Sequence, residues 1–160
     1  MLRAISRSVG AVVSKPRQVT ADRRGMALIE FMFALPVLLM IGVGMMKFGV
    51  AISHYQMLTN AAAQGVTNFA LSRGTTTPYT TTTTAITNAA PSLTNASITK
   101  TLKINGAACT SDSGCQSAMT TAGAGATALV IVSYPCDLYV LGVNFKSGCT
   151  LTAQSAQMVQ

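Results

Sequence analysis

Arg23-Arg24-Gly25-Met26-Ala27-Leu28-Ile29-Glu30-Phe31 sets a dibasic pair, a glycine and a lone carboxylate at the head of a long apolar run. The run extends from Met26 to about Met46 and on through Phe48 to Ile52, with Glu30 its only charge before Lys47. At about 1.5 Å of rise per residue, a helix over this stretch crosses the ~30 Å hydrocarbon layer of a bilayer. A secretory signal peptide would have a shorter apolar region, about 7 to 15 residues, with its cut site after that region. Ala61-Ala62-Ala63 has the small-residue character of such a site, but cutting there would discard the one strongly apolar segment. A carboxylate at the start of a membrane helix costs free energy unless something pairs with it, so Glu30 predicts a function beyond anchoring.

The flanks predict an orientation. Arg3, Arg7, Lys15, Arg17, Arg23 and Arg24 precede the run against Asp22 alone, whereas Lys47, Arg73, Lys100, Lys103 and Lys146 are scattered after it. A basic excess at one end places that end in the cytoplasm and the C-terminal portion outside. Most of the net charge of +7 therefore belongs to the N-terminal flank. The exported part keeps no basic stripe with interleaved aromatics, which argues against nucleic acid as a partner.

Within the run, Pro36 removes one backbone donor and crowds the preceding turn, so a kink or local loosening is expected, which membrane helices tolerate. Gly42, Gly44 and Gly49 offer small-residue faces for close helix contact. Beyond Lys47, Phe48, Ile52, Tyr55, Leu58, Ala62, Val66 and Phe69 recur at spacings of three and four. That periodicity predicts one apolar stripe on a continuing helix. A single helix from Met26 to about Leu71 would be about 68 Å long. Ser72-Arg73-Gly74 supplies its stop.

Thr75 to Thr87 is a threonine tract interrupted by Pro78 and Tyr79, a composition of extended or glycosylated linkers. It merges into Ala85-Ile86-Thr87-Asn88-Ala89-Ala90, with Leu93 beyond Pro91, which leaves room for a short helix packed on the stem. Asn95-Ala96-Ser97 has the form of a glycosylation sequon, a motif frequent by chance. The remainder reads as β structure. Ser97 to Ile104 alternates apolar and polar residues and ends at the turn signal Asn105-Gly106. Ala128 to Tyr134 is a β-prone run stopped by Pro135, and Leu138 to Val143 and Thr150 to Ser155 would complete a meander. Gly123-Ala124-Gly125-Ala126 is a loop without the lysine and helix that phosphate binding requires.

All four cysteines, Cys109, Cys115, Cys136 and Cys149, fall in this exterior part, where an even count reads as two disulfides. Three connectivities are open, and the local one, Cys109 with Cys115 and Cys136 with Cys149, is the expectation. Their spacing lacks the paired short knuckles of a zinc site. His54, the only histidine, has no ligand or triad partner at useful spacing and is expected as a solvated or interfacial helix residue. Past Gly25 the acids are Glu30, Asp112 and Asp137, too few and too scattered for a catalytic constellation. No catalytic, cofactor-binding or metal residue is expected, and the chain is not expected to be an enzyme. The nine methionines are concentrated in and near the apolar run, as Met26, Met32, Met40, Met45, Met46 and Met57, where they serve as adaptable packing.

The basic flank ending in Gly25, then Met26, Glu30 and Phe31, resembles the prepilin-peptidase processing site of type IV pilin-like proteins. In particular it is similar to the TadE-like pseudopilins of the tight-adherence (Flp, type IVb/IVc) pilus system. Phe33 to Leu39 with Pro36, then Lys47-Phe48-Gly49, then Leu58-Thr59-Asn60-Ala61-Ala62, continue the likeness. It covers about residues 23 to 70, returns weakly near Val130 to Tyr134 and Leu151 to Ala153, and leaves the middle third unmatched. The resemblance implies cleavage after Gly25, Met26 as the new N-terminus, and Glu30 as the fifth mature residue, with Phe31 following. Glycine at the cut lets a protease approach the backbone closely. The freed amine at Met26 would be the partner that Glu30 lacks, in its own chain or, as the resemblance implies, on a neighbouring subunit. A misplaced subunit would leave both charges unpaired, which favours one register. Glu30 otherwise rests at the helix start near the headgroups, where the positive dipole end tolerates it.

The expected organisation is a cytoplasmic basic leader over residues 1–25, removed by prepilin peptidase, then a transmembrane helix over 26–50 and an amphipathic stem over 51–72. A Thr-rich linker over 73–95, with room for a short helix, leads to a small disulfide-bonded β head over 96–160. The fold class is α+β, a long N-terminal helix packed on a small, mainly antiparallel C-terminal sheet. The resemblance implies a minor pilin or pseudopilin in pilus assembly and adhesion, with Glu30 and Pro36 serving assembly. It implies a single-pass protein of the bacterial inner membrane, cytoplasmic at its N-terminus and with a periplasmic head, able to join an extracellular pilus. Its partners would be the prepilin peptidase, other pseudopilins and the main pilin, the inner-membrane assembly platform and membrane lipid. The shaft pilins of such systems are shorter than this chain, which leans toward a minor subunit. The alternative is an unprocessed, signal-anchored protein whose exterior head binds a ligand or surface.

Overall fold

The computed structural model describes residues 23–136, 139–140, 142–144 and 146–160. The leader expectation for residues 1–22 lies outside them, as do Asp137, Leu138, Leu141 and Phe145. Helix α1 spans Arg23–Leu71 with Pro36 inside it, and is assigned unbroken through the proline. The chain divides into two compact units at Leu38–Leu39, and the described part of the first is the start of α1. Its side chains from Met26 to Leu38 are exposed, large apolar ones included.

In the second unit, α1 buries one stripe: Leu58, Ala61, Ala62, Gly65, Val66, Phe69 and Ala70. This corrects the expected stripe at its lower end, since Phe48, Ile52 and Tyr55 are exposed. The inward face instead runs down through His54 and Ala51, both half-buried. Small residues explain the rotation: Ala61 and Gly65 contribute little to an apolar pattern yet let a sheet approach the helix closely. Helix α1 ends at Leu71, where the Ser72 hydroxyl donates to the carbonyl of Asn68 and Gly74 takes φ 82°.

Helix α2 spans Pro78–Ala89, so most of the threonine tract is helical rather than an extended linker. Pro78 opens the helix, where its missing N–H is no loss. Thr82, Thr84 and Thr87 donate their hydroxyls to the carbonyls four residues earlier, which satisfies these side chains inside the helix. Pro78, Thr82 and Ile86 form its buried face.

Strand β1 spans Thr99–Ile104 and turns at Asn105-Gly106, both at positive φ, into β2, Ala107–Cys109. Helix α3, Asp112–Ala122, follows. Strand β3 covers Thr127–Pro135, a small hairpin is made by β4, Tyr139–Val140, and β5, Val143–Asn144, and β6 runs Thr150–Met158. The main sheet has the order β2-β1-β3-β6 and every pairing in it is antiparallel. The expected strand over Leu138 to Val143 is instead a hairpin around Gly142, paired only with itself. Strand β6 therefore returns beside β3, with Val130 opposite Ser155 and Val132 opposite Ala153.

Leu102, Ile104, Ala128, Val130, Val132 and Ala153 are buried and join the α1 stripe in one hydrophobic core. Ile86, Met119, Leu93 and Val159 complete it from α2, α3 and the connecting segments. Gln160 N–H donates to the carbonyl of Ala70, satisfying one of the helix-end acceptors of α1. The fold is thus α+β, a long N-terminal helix and a small antiparallel sheet.

Cys109 is bonded to Cys115 and Cys136 to Cys149, the local connectivity. The first bridge joins β2 to α3, a helix that sequence periodicity does not announce because only Cys115 and Met119 are buried on it. Its N-terminal signal is Ser111, whose hydroxyl accepts from the Gly114 N–H. The second bridge closes the end of the β3–β6 ladder, where the Cys136 N–H also donates to the Cys149 carbonyl. Gly123 and Gly125, both at positive φ, shape an ordered turn in which the Gly125 N–H meets the Val159 carbonyl.

Candidate functional site

Gly25, Met26, Glu30 and Phe31 all lie on the first turns of α1 and are exposed, Met26 by 67% and Phe31 by 55%. A Cβ built on Gly25 meets nothing within 4 Å, so the glycine is not required by packing here. A structural need for this glycine is absent among the described residues. Met26 and Glu30 stand one helical turn apart on one side of α1. Glu30 makes no hydrogen bond or ion pair with any described residue. Side chains on a helix lean toward its N-terminus, so the Glu30 carboxylate is directed toward the Met26 end. Pro36 leaves the carbonyl one turn before it, at Met32, without its intrahelical donor.

One helix among the described residues, Gly25–Leu71, is long and apolar enough to cross a membrane, and its most apolar window is not buried at all. Met26, Met32, Phe33, Leu38, Met45 and Met46 are each at least 60% exposed. Such a surface is stable in lipid or against apolar partners rather than in water.

A second feature lies wholly in the unit from Leu39 onward. Lys47, Val50 and His54 of α1 and Tyr134, Pro135 and Cys136 at the end of β3 line a cleft of ≈ 250 Å3. His54 meets Tyr134 edge to face, with ring centroids 5.6 Å apart. His54 is therefore half-buried, sitting at an internal contact that sequence spacing alone did not reveal.

Asp112 reaches from α3 to the first turn of α2, its carboxylate accepting from the Thr80 N–H at 2.9 Å and the Thr80 hydroxyl at 2.6 Å. These bonds hold the Asp112 carboxyl below its ordinary pKa. Lys100, at the far end of the core face of β1, donates to Thr87 Oγ1 and Asn95 Oδ1, each at 2.8 Å. Partial burial without a carboxylate partner lowers its pKa. Asn95 is thus engaged in a hydrogen-bond group with Thr87 and Lys100. No group of three or more His, Cys, Asp or Glu side chains placed to hold a metal occurs among the described residues.

No curated protein and no solved structure matches this sequence. The family model described as TadE-like protein matches residues 25–67, a span that opens on Gly25, contains Glu30, Phe31 and Pro36, and ends within the buried stripe of α1. That family points to a structural component of the tight-adherence pilus rather than to an enzyme. Over residues 25–67 of its long N-terminal helix, this chain is similar to the TadE-like proteins.

Proposed function

We propose that the chain is a minor pilin or pseudopilin of a tight-adherence pilus, cut by a prepilin peptidase after Gly25. The observation that carries this reading is the family match beginning at Gly25 on a helix whose apolar side chains are exposed and whose one N-terminal acid, Glu30, has no described partner. Cleavage would leave Met26 with an α-amino group, largely cationic at neutral pH. In low dielectric that cation and the Glu30 carboxylate attract strongly, whether the amine belongs to the same chain or to a neighbour. Burying either alone is costly, so pairing selects one axial register for a subunit joining an apolar bundle.

In this reading the head, exported and crosslinked by two disulfides, faces the periplasm and offers its surface to other pseudopilins or the main pilin. Residues 1–25 remain cytoplasmic until cleavage, and the assembly platform of the inner membrane receives the processed chain. The role is structural, in assembly and adhesion.

Quantifying this chain against the main pilin in sheared pili tests the proposal. Its presence at a ratio far below one to one is expected, and Glu30→Gln is expected to leave the chain in the membrane while removing it from pili. Absence of the wild-type chain from both pili and crosslinked assembly complexes would overturn the reading.

A further inference from the structure

Lys47 and His54 lie on one side of α1, about two turns apart. Both line the cleft against Tyr134 and Pro135. Neither makes a hydrogen bond or ion pair with a described residue, and His54 is held only by its edge contact with Tyr134. No carboxylate is among the described residues that line the cleft, and the rest of the wall is Val50, Ala51, Tyr134, Pro135 and the disulfide-bonded Cys136. Two donors that suit an anion therefore face a cleft whose other walls are largely apolar. Lysine offers three N–H donors, and imidazole offers at least one in either protonation state.

The surface next to the cleft narrows the class of anion. About one turn and two turns before Lys47, the same side of α1 carries Val43 and Met40, and Met40 is exposed. A small hydrated anion gains nothing from such a surface. A molecule that joins a phosphate to hydrocarbon chains matches both parts at once, the charged group at the donors and the chains along the apolar helix. We infer that the cleft between α1 and β3 holds the headgroup phosphate of one anionic phospholipid, with Lys47 and His54 as donors and Tyr134 as the closing wall. Its acyl chains lie along Val43 and Met40. The site would link the head to the leaflet surface by a lipid rather than by protein contact alone.

A lysine that merely snorkels to the interface also meets headgroups, but it needs neither His54 nor the Tyr134 wall. The inference rests on the membrane-anchored reading of α1 and separates from it by experiment. The full chain is purified in detergent, titrated with phosphatidylglycerol or phosphatidylcholine, and the retained lipid is counted by native mass spectrometry. Wild type is expected to retain one phosphatidylglycerol with at least about tenfold preference over phosphatidylcholine. Lys47→Gln is expected to lower that affinity about tenfold and His54→Gln several-fold, while Lys103→Gln, on β1 outside the cleft, leaves it unchanged. Tyr134→Leu is expected to lower it as well, with circular dichroism and intact disulfides reporting its fold; the Lys47 and His54 variants carry the test if it does not fold.

Equal retention of the two lipids by wild type would overturn the inference, and so would wild-type retention by the Lys47→Gln/His54→Gln double variant. Displacement of the lipid by millimolar inorganic phosphate would also overturn it, by showing a site for the free anion. A chain that shows the lipid preference but is absent from pili contradicts the pilus reading alone. A chain found in pili without any lipid preference contradicts this inference alone.

Discussion

A side-chain carbon placed on Gly65 of α1 would lie 2.6 Å from Cγ1 of Ile86 on α2, and 3.4 Å from Cγ1 of Val130 on β3. At this point two helices and the sheet meet with room for hydrogen only. Isoleucine is branched at Cβ, which restricts the rotation that positions Cγ1, so this carbon cannot swing aside as a flexible chain end would.

Gly65→Ala is therefore expected to destabilise the head by about 1 to 3 kcal/mol, despite the better helix propensity of alanine. Ile86→Ala opens a cavity instead and is expected to cost about 2 to 5 kcal/mol. Because the two residues share one space, the double variant should be more stable than the sum of the single losses implies. Denaturant unfolding of the four chains gives the coupling. Strict additivity would mean that Gly65 and Ile86 do not meet in solution.

The apolar stripe of α1 supplies a second contrast. Phe69 is fully buried and Phe48 is 62% exposed. Phe69→Ala is expected to cost about 3 to 5 kcal/mol, whereas Phe48→Ala leaves head unfolding unchanged. Equal losses would restore the stripe that sequence periodicity alone favours.

The bridges close loops of different length, with sequence separations of 6 for Cys109–Cys115 and 13 for Cys136–Cys149. On chain entropy, replacing both cysteines by serine should cost about 2 kcal/mol at the first bridge and about 3 kcal/mol at the second. Losing the first should also loosen α3, whose Asp112 then holds Thr80 less well. Hydrogen exchange at the α2 amides reports this, with faster exchange at Thr80 expected in the Cys109→Ser/Cys115→Ser chain and unchanged exchange contradicting it.

Asp112 gives the head an acid-sensitive contact. Its carboxyl is held below its ordinary pKa chiefly by the Thr80 hydroxyl, and then by the Thr80 N–H. The unfolded chain therefore takes up the proton first as pH falls. The contribution is complete above the ordinary carboxylate range and is lost as pH drops through the folded value. Asp112→Asn should lower the melting temperature near neutral pH and flatten its decline in acid. Parallel wild-type and variant curves across the acid range would exclude the contact.

Much of this fold is legible in the residues. The apolar run, the Ser72-Arg73-Gly74 stop, the Asn105-Gly106 turn and the run from Ala128 each carry local physical signals, and each element is present. The helical threonine tract is less legible, because threonine is a weak helix former and this helix depends on tertiary contacts, Thr80 with Asp112 and the buried face of Pro78, Thr82 and Ile86. Helix α3 has no apolar stripe to read, and the placement of β6 beside β3 depends on the hairpin around Gly142 turning away. At the candidate site, Gly25 and Glu30 stand out by charge and order along the chain. The His54–Tyr134 contact joins residues far apart in sequence and left no local trace.

The mature N-terminus separates a processed pilin from an unprocessed, signal-anchored protein. In cells with an active prepilin peptidase, mass spectrometry of the membrane and pilus fractions is predicted to find a polypeptide that begins at Met26. Gly25→Ala is predicted to leave the longer precursor in the membrane. Intact residues 1–25 on the wild-type chain under those conditions would contradict the account, and would favour an unprocessed, signal-anchored protein whose exterior head binds a ligand or surface.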